Sequence, residues 1–317
     1  MNLIDVVREL GTEEEGFAFF ERMRWPDGVV RCTTCGNDHI SRITRKSTTK
    51  NVRKNLYQCL EPTCKQQFSV TSGTIFHDTR IPLAKWFMAI SLIMDAKKGI
   101  SAKQLQEHLG LGSYQTAWHM THRIRKAMVD TNPTPMSGTV EIDETYIGPT
   151  AIRRGQKGRR TKEMVFAIRE RSTPTKTGRV RFFHVPNGKR VTLEPIITDH
   201  IAPWVNRINT DQSSVYDFAI HETFNSRHRT VNHSMQWIVP GSKIHTNTVE
   251  SSFSLLKRGL IGSFHRVSIK HLHRYLSEFE HRFNTRKDVD RFTDMVMRVA
   301  QTSPLTYRTL VDGPTQA

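Results

Sequence analysis

The stretch Thr139-Val140-Glu141-Ile142-Asp143-Glu144-Thr145-Tyr146-Ile147-Gly148 decides the fold. Its side chains alternate with period two, as in a strand with two unlike faces. Glu141, Asp143 and Thr145 share one face; Val140, Ile142 and Glu144 share the other. Aspartate is depleted in strands. An aspartate in the middle of so regular a strand marks either a solvated face or a place where a sheet offers oxygen to a ligand.

Downstream, 164–169 and 179–185 read as two further strands, separated from the first by a very basic loop over 153–162. Residues 192–208 read as a helix despite Pro195 and Pro203, and 213–217 as a short strand ending in Asp217. Helices follow over 246–256 and 270–286. Strand, strand, strand, helix, strand, helix is an α/β pattern. Ligands of such sheets lie near strand ends, so Asp217 is either a ligand or a helix cap, with Asp199 and Asp211 close by in the chain. On the helix near 246, Asn247, Glu250, Ser254 and Lys257 form a polar stripe apart from Val249, Phe253 and Leu256. Alone, that stripe is an ordinary solvated face. With Asp143 and Asp217, Glu250 makes a set of hard oxygen donors suited to Mg²⁺ or Mn²⁺ and to phosphoryl transfer, with Lys257 placed to hold a phosphate.

Upstream of the strand, TNPTPMSG over 131–138 reads as a linker, and 79–130 as helical. Ser101 caps a helix from Ala102 to Leu109, a glycine-containing turn follows, and a third helix runs from Tyr114 to Val129. This is a helix-turn-helix pattern. Gln115, His119 and Arg123 on the third helix are candidate DNA contacts; the alternative is a packing pair between domains. Before it, Cys32-x2-Cys35 and Cys59-x4-Cys64 are the chain's four cysteines. Two close pairs at this separation suit one tetrahedral Zn²⁺ with four thiolates, a structural site with no coordination position left for water. Arg42, Arg45 and Lys54 nearby would face phosphates, and so would Arg153, Arg154, Arg159 and Arg160 in the basic loop.

Forty-seven Lys and Arg against 30 Asp and Glu, over 317 residues, give a formal net charge of +17. A chain so basic favours a polyanionic partner. No stretch is long and apolar enough to span a bilayer, and the first residues lack a signal-peptide pattern, so a cytoplasmic protein without a membrane partner is expected.

These pieces together carry a likeness. The two cysteine pairs, VEIDETYIG, VNHS at 231–234 and IHTNTVESSFSLLKRGLIGSFHRVSIKHLHRYLSEFEHRFNTR at 244–286 resemble the ISXO2-like transposases, the IS1595 group of insertion sequences. The resemblance implies a ribonuclease-H-like catalytic domain with a DDE-type metal site. By matching positions it implies Asp143, Asp217 and Glu250 as the triad, Lys257 as the basic residue after the last acid, and Asn247 as an alternative third ligand. Read along the chain with that likeness, the expected organisation is a helical lead over 1–28, a zinc ribbon over 29–78, a helix-turn-helix-like region over 79–130, the catalytic domain over 139–290 and a tail over 291–317. The resemblance further implies binding of terminal inverted repeats in double-stranded DNA, 3′-end cleavage and strand transfer, by a homodimer or larger assembly. A DNA-binding regulator without catalysis and a nuclease of the same fold are the rival readings.

Overall fold

The structure is a computed structural model that describes residues 1–43, 55–148, 162–213, 215–216, 220, 224–231 and 242–312. It divides into two compact units, 1–128 with 288–317, and 129–287.

The first unit begins with α1 (Leu3–Glu9) and α2 (Glu13–Arg24). Thr12 and Glu15 cap α2 reciprocally, each side chain bonded to the other's backbone N–H, so the three glutamates of its first turn sit at the favourable end of the helix dipole. A small antiparallel sheet follows, β1 (Ile40–Ile43), β2 (Leu56–Cys59) and β3 (Gln67–Ser69), in that order. Then comes α3 (Leu83–Asp95), apolar nearly all round and buried at Leu83, Trp86, Phe87, Ile90 and Ile93. Gly16 lets α2 approach α3 closely: a Cβ there would lie 3.3 Å from that of Leu83.

Helices α4 (Ala102–Leu109) and α5 (Tyr114–Ala127) form the expected helix-turn-helix. Gly110 closes α4 in the left-handed region at φ 56°, where glycine carries no steric cost. Lead, ribbon and helical region share one hydrophobic core and are not separate bodies. Residues 291–312, expected in a tail, instead form α9 (Arg291–Gln301) and α10 (Tyr307–Asp312). Phe292, Met295, Val296 and Val299 of α9 lie in the same core. The stripe was there to read: these four recur at helical spacing.

The second unit is built on five strands ordered β6-β5-β4-β7-β8. These are β4 (Thr139–Ile147), β5 (Glu163–Glu170), β6 (Val180–Val185), β7 (Arg207–Asp211) and β8 (His228–Val231). The β4–β5 and β5–β6 pairings are antiparallel, and β4–β7 and β7–β8 are parallel. A three-stranded meander continued by parallel strands on the far side of the first is the ribonuclease-H-like arrangement. One face carries Val140, Ile142, Phe166 and Ile168 against α6 (Arg190–His200) and Tyr216. The other carries Val165, Ala167 and Phe182 against α7 (Asn247–Gly259) and α8 (Leu272–Asn284).

Two expectations fail here. The helix read over 192–208 stops at His200, and Arg207–Asp211 is a strand. Val215 and Tyr216, read as strand, are helical. The error has a physical source: Pro203 ends the helix earlier, and the short strand Arg-Ile-Asn-Thr-Asp offers one large apolar side chain to recognise it by.

Candidate functional site

The register places the acids. Glu141 pairs with Asn209 across the parallel β4–β7 ladder. Two residues further along each strand stand Asp143 and Asp211, on the same sheet face because side chains alternate. Asp143 also pairs with Ala167, whose side chain belongs to the core beneath α7 and α8. Asp143 and Asp211 therefore face the layer that carries Glu250 on α7. Glu144 points to the opposite face, where the Tyr216 hydroxyl donates to it.

The charges of neighbouring acids bear on Asp143. Burial first, and then the negative charges of Glu144, Asp211 and Glu250, push the Asp143 carboxyl up to about 7 against a bond from the Glu144 amide. That amide donates to Asp143 Oδ1 at 2.8 Å. A half-buried carboxylate whose proton affinity is raised by neighbouring acids favours a cation that can replace the proton.

Helix α7 holds Glu250 in its first turn. Val249, Phe253 and Leu256 are buried, while Asn247, Ser254 and Lys257 are exposed, as the polar stripe implied. The Thr246 hydroxyl donates to Glu250 Oε1 at 2.9 Å. Lys257 lies two turns beyond Glu250 on the same side of the helix.

Asp217 lies outside the described residues, as do Arg45, Lys54, Arg153, Arg154, Arg159 and Arg160. Within the described strands, the acid that ends the strand beside β4 is Asp211. Its signal in the sequence was a β-branched residue on each side of Asn209, easily missed in a five-residue strand.

The cysteines gather in the first unit. The ligand atoms of Cys32, Cys35, Cys59 and Cys64 all lie within 4.8 Å of one another. Cys32 and Cys64 sulfurs are 3.7 Å apart, and so are those of Cys35 and Cys59. A disulfide would need ~2.05 Å. Four thiolates at Zn–S ~2.3 Å stand ~3.8 Å apart at tetrahedral corners, so the set fits a zinc ion. Cys32 and Cys59 are buried against the unit's core, which ties the ribbon to the helices.

The candidate DNA contacts divide. Gln115 is exposed at the N-terminal end of α5, the end that recognition helices present to a groove. His119 and Arg123 are turned inward. His119 Nε2 lies 2.8 Å from the Leu305 carbonyl. Arg123 is 8% exposed, and its guanidinium donates to the His77 carbonyl at 2.7 Å and stacks over Trp86. Both side chains bond backbone carbonyls of their own unit. Arg42 is exposed but bonded to Glu21 at 2.7 Å and to the Tyr57 hydroxyl at 3.0 Å.

Comparison with known proteins agrees with the geometry. A family model described as the ISXO2-like transposase domain matches residues 135–284, and one described as the transposase zinc-ribbon domain matches 11–67. A protein of transposable element ISH50 in Halobacterium salinarum is 26% identical over 293 residues, covering 86% of this chain and 92% of its own length. A chain in a simian T-cell lymphotropic virus intasome bound to PP2A regulatory subunit B56 gamma aligns with 60% of this chain at 15% identity and a TM-score of 0.29, too loose to carry an argument. The present chain spans 65% of the length of that solved chain. Among the described residues no helix is long and apolar enough to cross a membrane. A transposase zinc ribbon over 11–67 ahead of an ISXO2-like transposase domain over 135–284 gives the chain the two-domain make-up of the ISXO2-like transposases.

Proposed function

We propose that this transposase cuts and joins DNA at a carboxylate site made by Asp143, Asp211 and Glu250, with Lys257 beside it. The observation that supports the reading is the strand register, which sets Asp143 and Asp211 at matching places on adjacent strands, on the sheet face covered by the helix that carries Glu250. Asp211 takes the place that the resemblance gave to Asp217, because it ends the strand next to Asp143. Asn247, exposed one turn before Glu250, is the alternative third ligand.

All three acids are hard oxygen donors, and Mg²⁺ or Mn²⁺ held by them would ease deprotonation of an attacking hydroxyl and stabilise the leaving oxygen. In end cleavage, water adds to a phosphorus and the bond to the 3′ oxygen breaks, freeing a 3′-hydroxyl. In strand transfer, that hydroxyl attacks a target phosphodiester and displaces its 3′ oxygen. Lys257, seven residues after Glu250 on the same helix side, offsets phosphate charge next to the acids. The ribbon, held by a structural Zn²⁺, and the exposed start of α5 at Gln115 bind double-stranded element ends. Two ends must be paired before joining, so the active species is a homodimer or a larger assembly on DNA.

The test uses purified protein with a labelled duplex carrying the element's end. Cleavage followed by joining to a second duplex supports a transposase, and cleavage without joining supports a nuclease. Binding without either supports a regulator. Asp143→Asn, Asp211→Asn and Glu250→Gln should each abolish cleavage and spare binding. Cleavage that survives Asp211→Asn but not Asp217→Asn would return the second position to Asp217.

A further inference from the structure

Glu141 stands two residues before Asp143 on the same strand face and looks at first like a fourth acid of the site. Its surroundings say otherwise. The side chain is fully buried, and every partner it has belongs to the support of α7. Its Oε2 accepts the Val249 amide at 2.9 Å. Its Oε1 accepts Arg171 Nε at 2.5 Å and lies 3.4 Å from His245 Nδ1. Thr246, at the helix N-cap, supplies no side-chain cap of its own. A carboxylate from the central strand thus caps the helix from across the layer, where the helix dipole most favours an anion.

Arg171 extends the clamp. Its Nη1 donates to the Lys243 carbonyl at 2.8 Å and its Nη2 to the His245 carbonyl at 2.9 Å. Asn209, the register partner of Glu141, donates to the same His245 carbonyl at 3.2 Å. Residues 243–246, which lead into α7, are therefore held by three side chains from β4, β7 and the end of β5.

We propose that Glu141, with Arg171 and Asn209, is a positioning device that sets the first turn of α7, and so the Glu250 carboxylate, against Asp143 and Asp211. Glu141 is not itself a metal ligand. The inference rests on the proposed carboxylate site, but its mechanical part concerns the helix alone.

The test compares the full-length wild type with Glu141→Gln and Arg171→Lys, which keep size and some hydrogen bonding. Hydrogen exchange is measured on the peptide containing Val249 and on peptides from β5 and α8, without metal or DNA. Mn²⁺ binding is followed by electron paramagnetic resonance. Expected is exchange at the start of α7 faster by about tenfold in both variants, with β5 and α8 unchanged. Mn²⁺ affinity should fall about tenfold with the number of bound ions unchanged. Unchanged protection of Val249 in both variants overturns the proposal, and so does loss of one bound ion in Glu141→Gln, which would make Glu141 a ligand. Wild-type protein that binds no Mn²⁺, with α7 still loosened in the variants, defeats the carboxylate-metal reading while supporting the role of Glu141 in setting the helix.

Discussion

The two units bury charge differently: among the described residues the first buries arginines without carboxylates, and the second buries arginines and carboxylates together. Among the described residues, the arginines buried in the first unit are Arg123 and Arg125. Arg123 takes the His77 carbonyl and the face of Trp86, and Arg125 the Thr121 hydroxyl. The second unit buries carboxylates and brings arginines to them. Glu141 has Arg171, and Glu280 has Arg181. Burial pushes the Glu170 carboxyl up, but Lys176, the Ser137 amide and Arg179 outweigh it and hold it below the ordinary range. Asp143 is the contrasting case: its electrostatic neighbours are other acids. A buried acid with an arginine is scaffold, whereas a half-buried acid among acids is a place for an added cation.

The contrast breaks most visibly if the first unit does not depend on metal. Stripping zinc with a chelator, or Cys59→Ser, should remove hydrogen-exchange protection from β2 and β3 and leave β5 protected. Binding of a structural zinc is worth on the order of 10–16 kcal/mol, more than a small ribbon has in reserve. Equal loss in both units would show that the zinc supports the whole chain.

Next in size is the distinction between acids. Asp143→Asn and Asp211→Asn should each lower end cleavage by about 10³-fold or more, roughly 4 kcal/mol of barrier, without weakening end binding. A matching loss for the scaffold change Glu170→Gln, at unchanged stability, would erase the proposed division.

Glu280 sharpens the comparison through pH. Burial raises its pKa from 4.5 to about 7, against the pull of Arg181 and the Phe182 amide. Between those values the folded protein holds a proton that the unfolded chain has lost. Stability therefore falls as pH rises through that window and levels off above about 7. Glu280→Gln should flatten this slope, gaining at most about 3 kcal/mol on the wild type between the two ends. Urea unfolding at several pH values measures it, and an identical slope in the variant would refute the raised pKa.

The smallest effects separate structure from recognition on α5. Arg123→Ala should destabilise the first unit by about 1–3 kcal/mol, through an unpaired His77 carbonyl and lost stacking. Gln115→Ala should leave stability unchanged and weaken end binding by about 1–3 kcal/mol, if Gln115 reads a base edge. Thermal unfolding and fluorescence-anisotropy titration check the pair.

What the sequence revealed follows from this same physics. The alternation in β4 and the cysteine spacing were legible because each is a local pattern with one physical solution. So was the stripe that carries Glu250, because burial of Val249, Phe253 and Leu256 forces the polar residues outward. The place of Asp211 beside Asp143 was not legible. Recognising Asp211 required knowing that β7 pairs with β4 in parallel, a contact between residues far apart in the chain. The inward turn of Arg123 was hidden for a related reason: residue type announces charge, and only packing tells whether that charge meets solvent. Glu141 shows both limits, since its period-two position groups it with Asp143 although its partners do not.

The helix α9 has a consequence for biosynthesis. Phe292 stacks against Phe19 with ring centroids 6.1 Å apart and meets Phe87 at 6.2 Å, so the end of the chain completes a core begun near its start. The second unit is thus an insertion within the first. A ribosome releases residues 129–287, all that the inserted unit needs, before it has made the helix that seals the outer one. Translation broken off after residue 287 would yield a complete second unit joined to a first unit with an open aromatic seam, a ready substrate for chaperones and proteases.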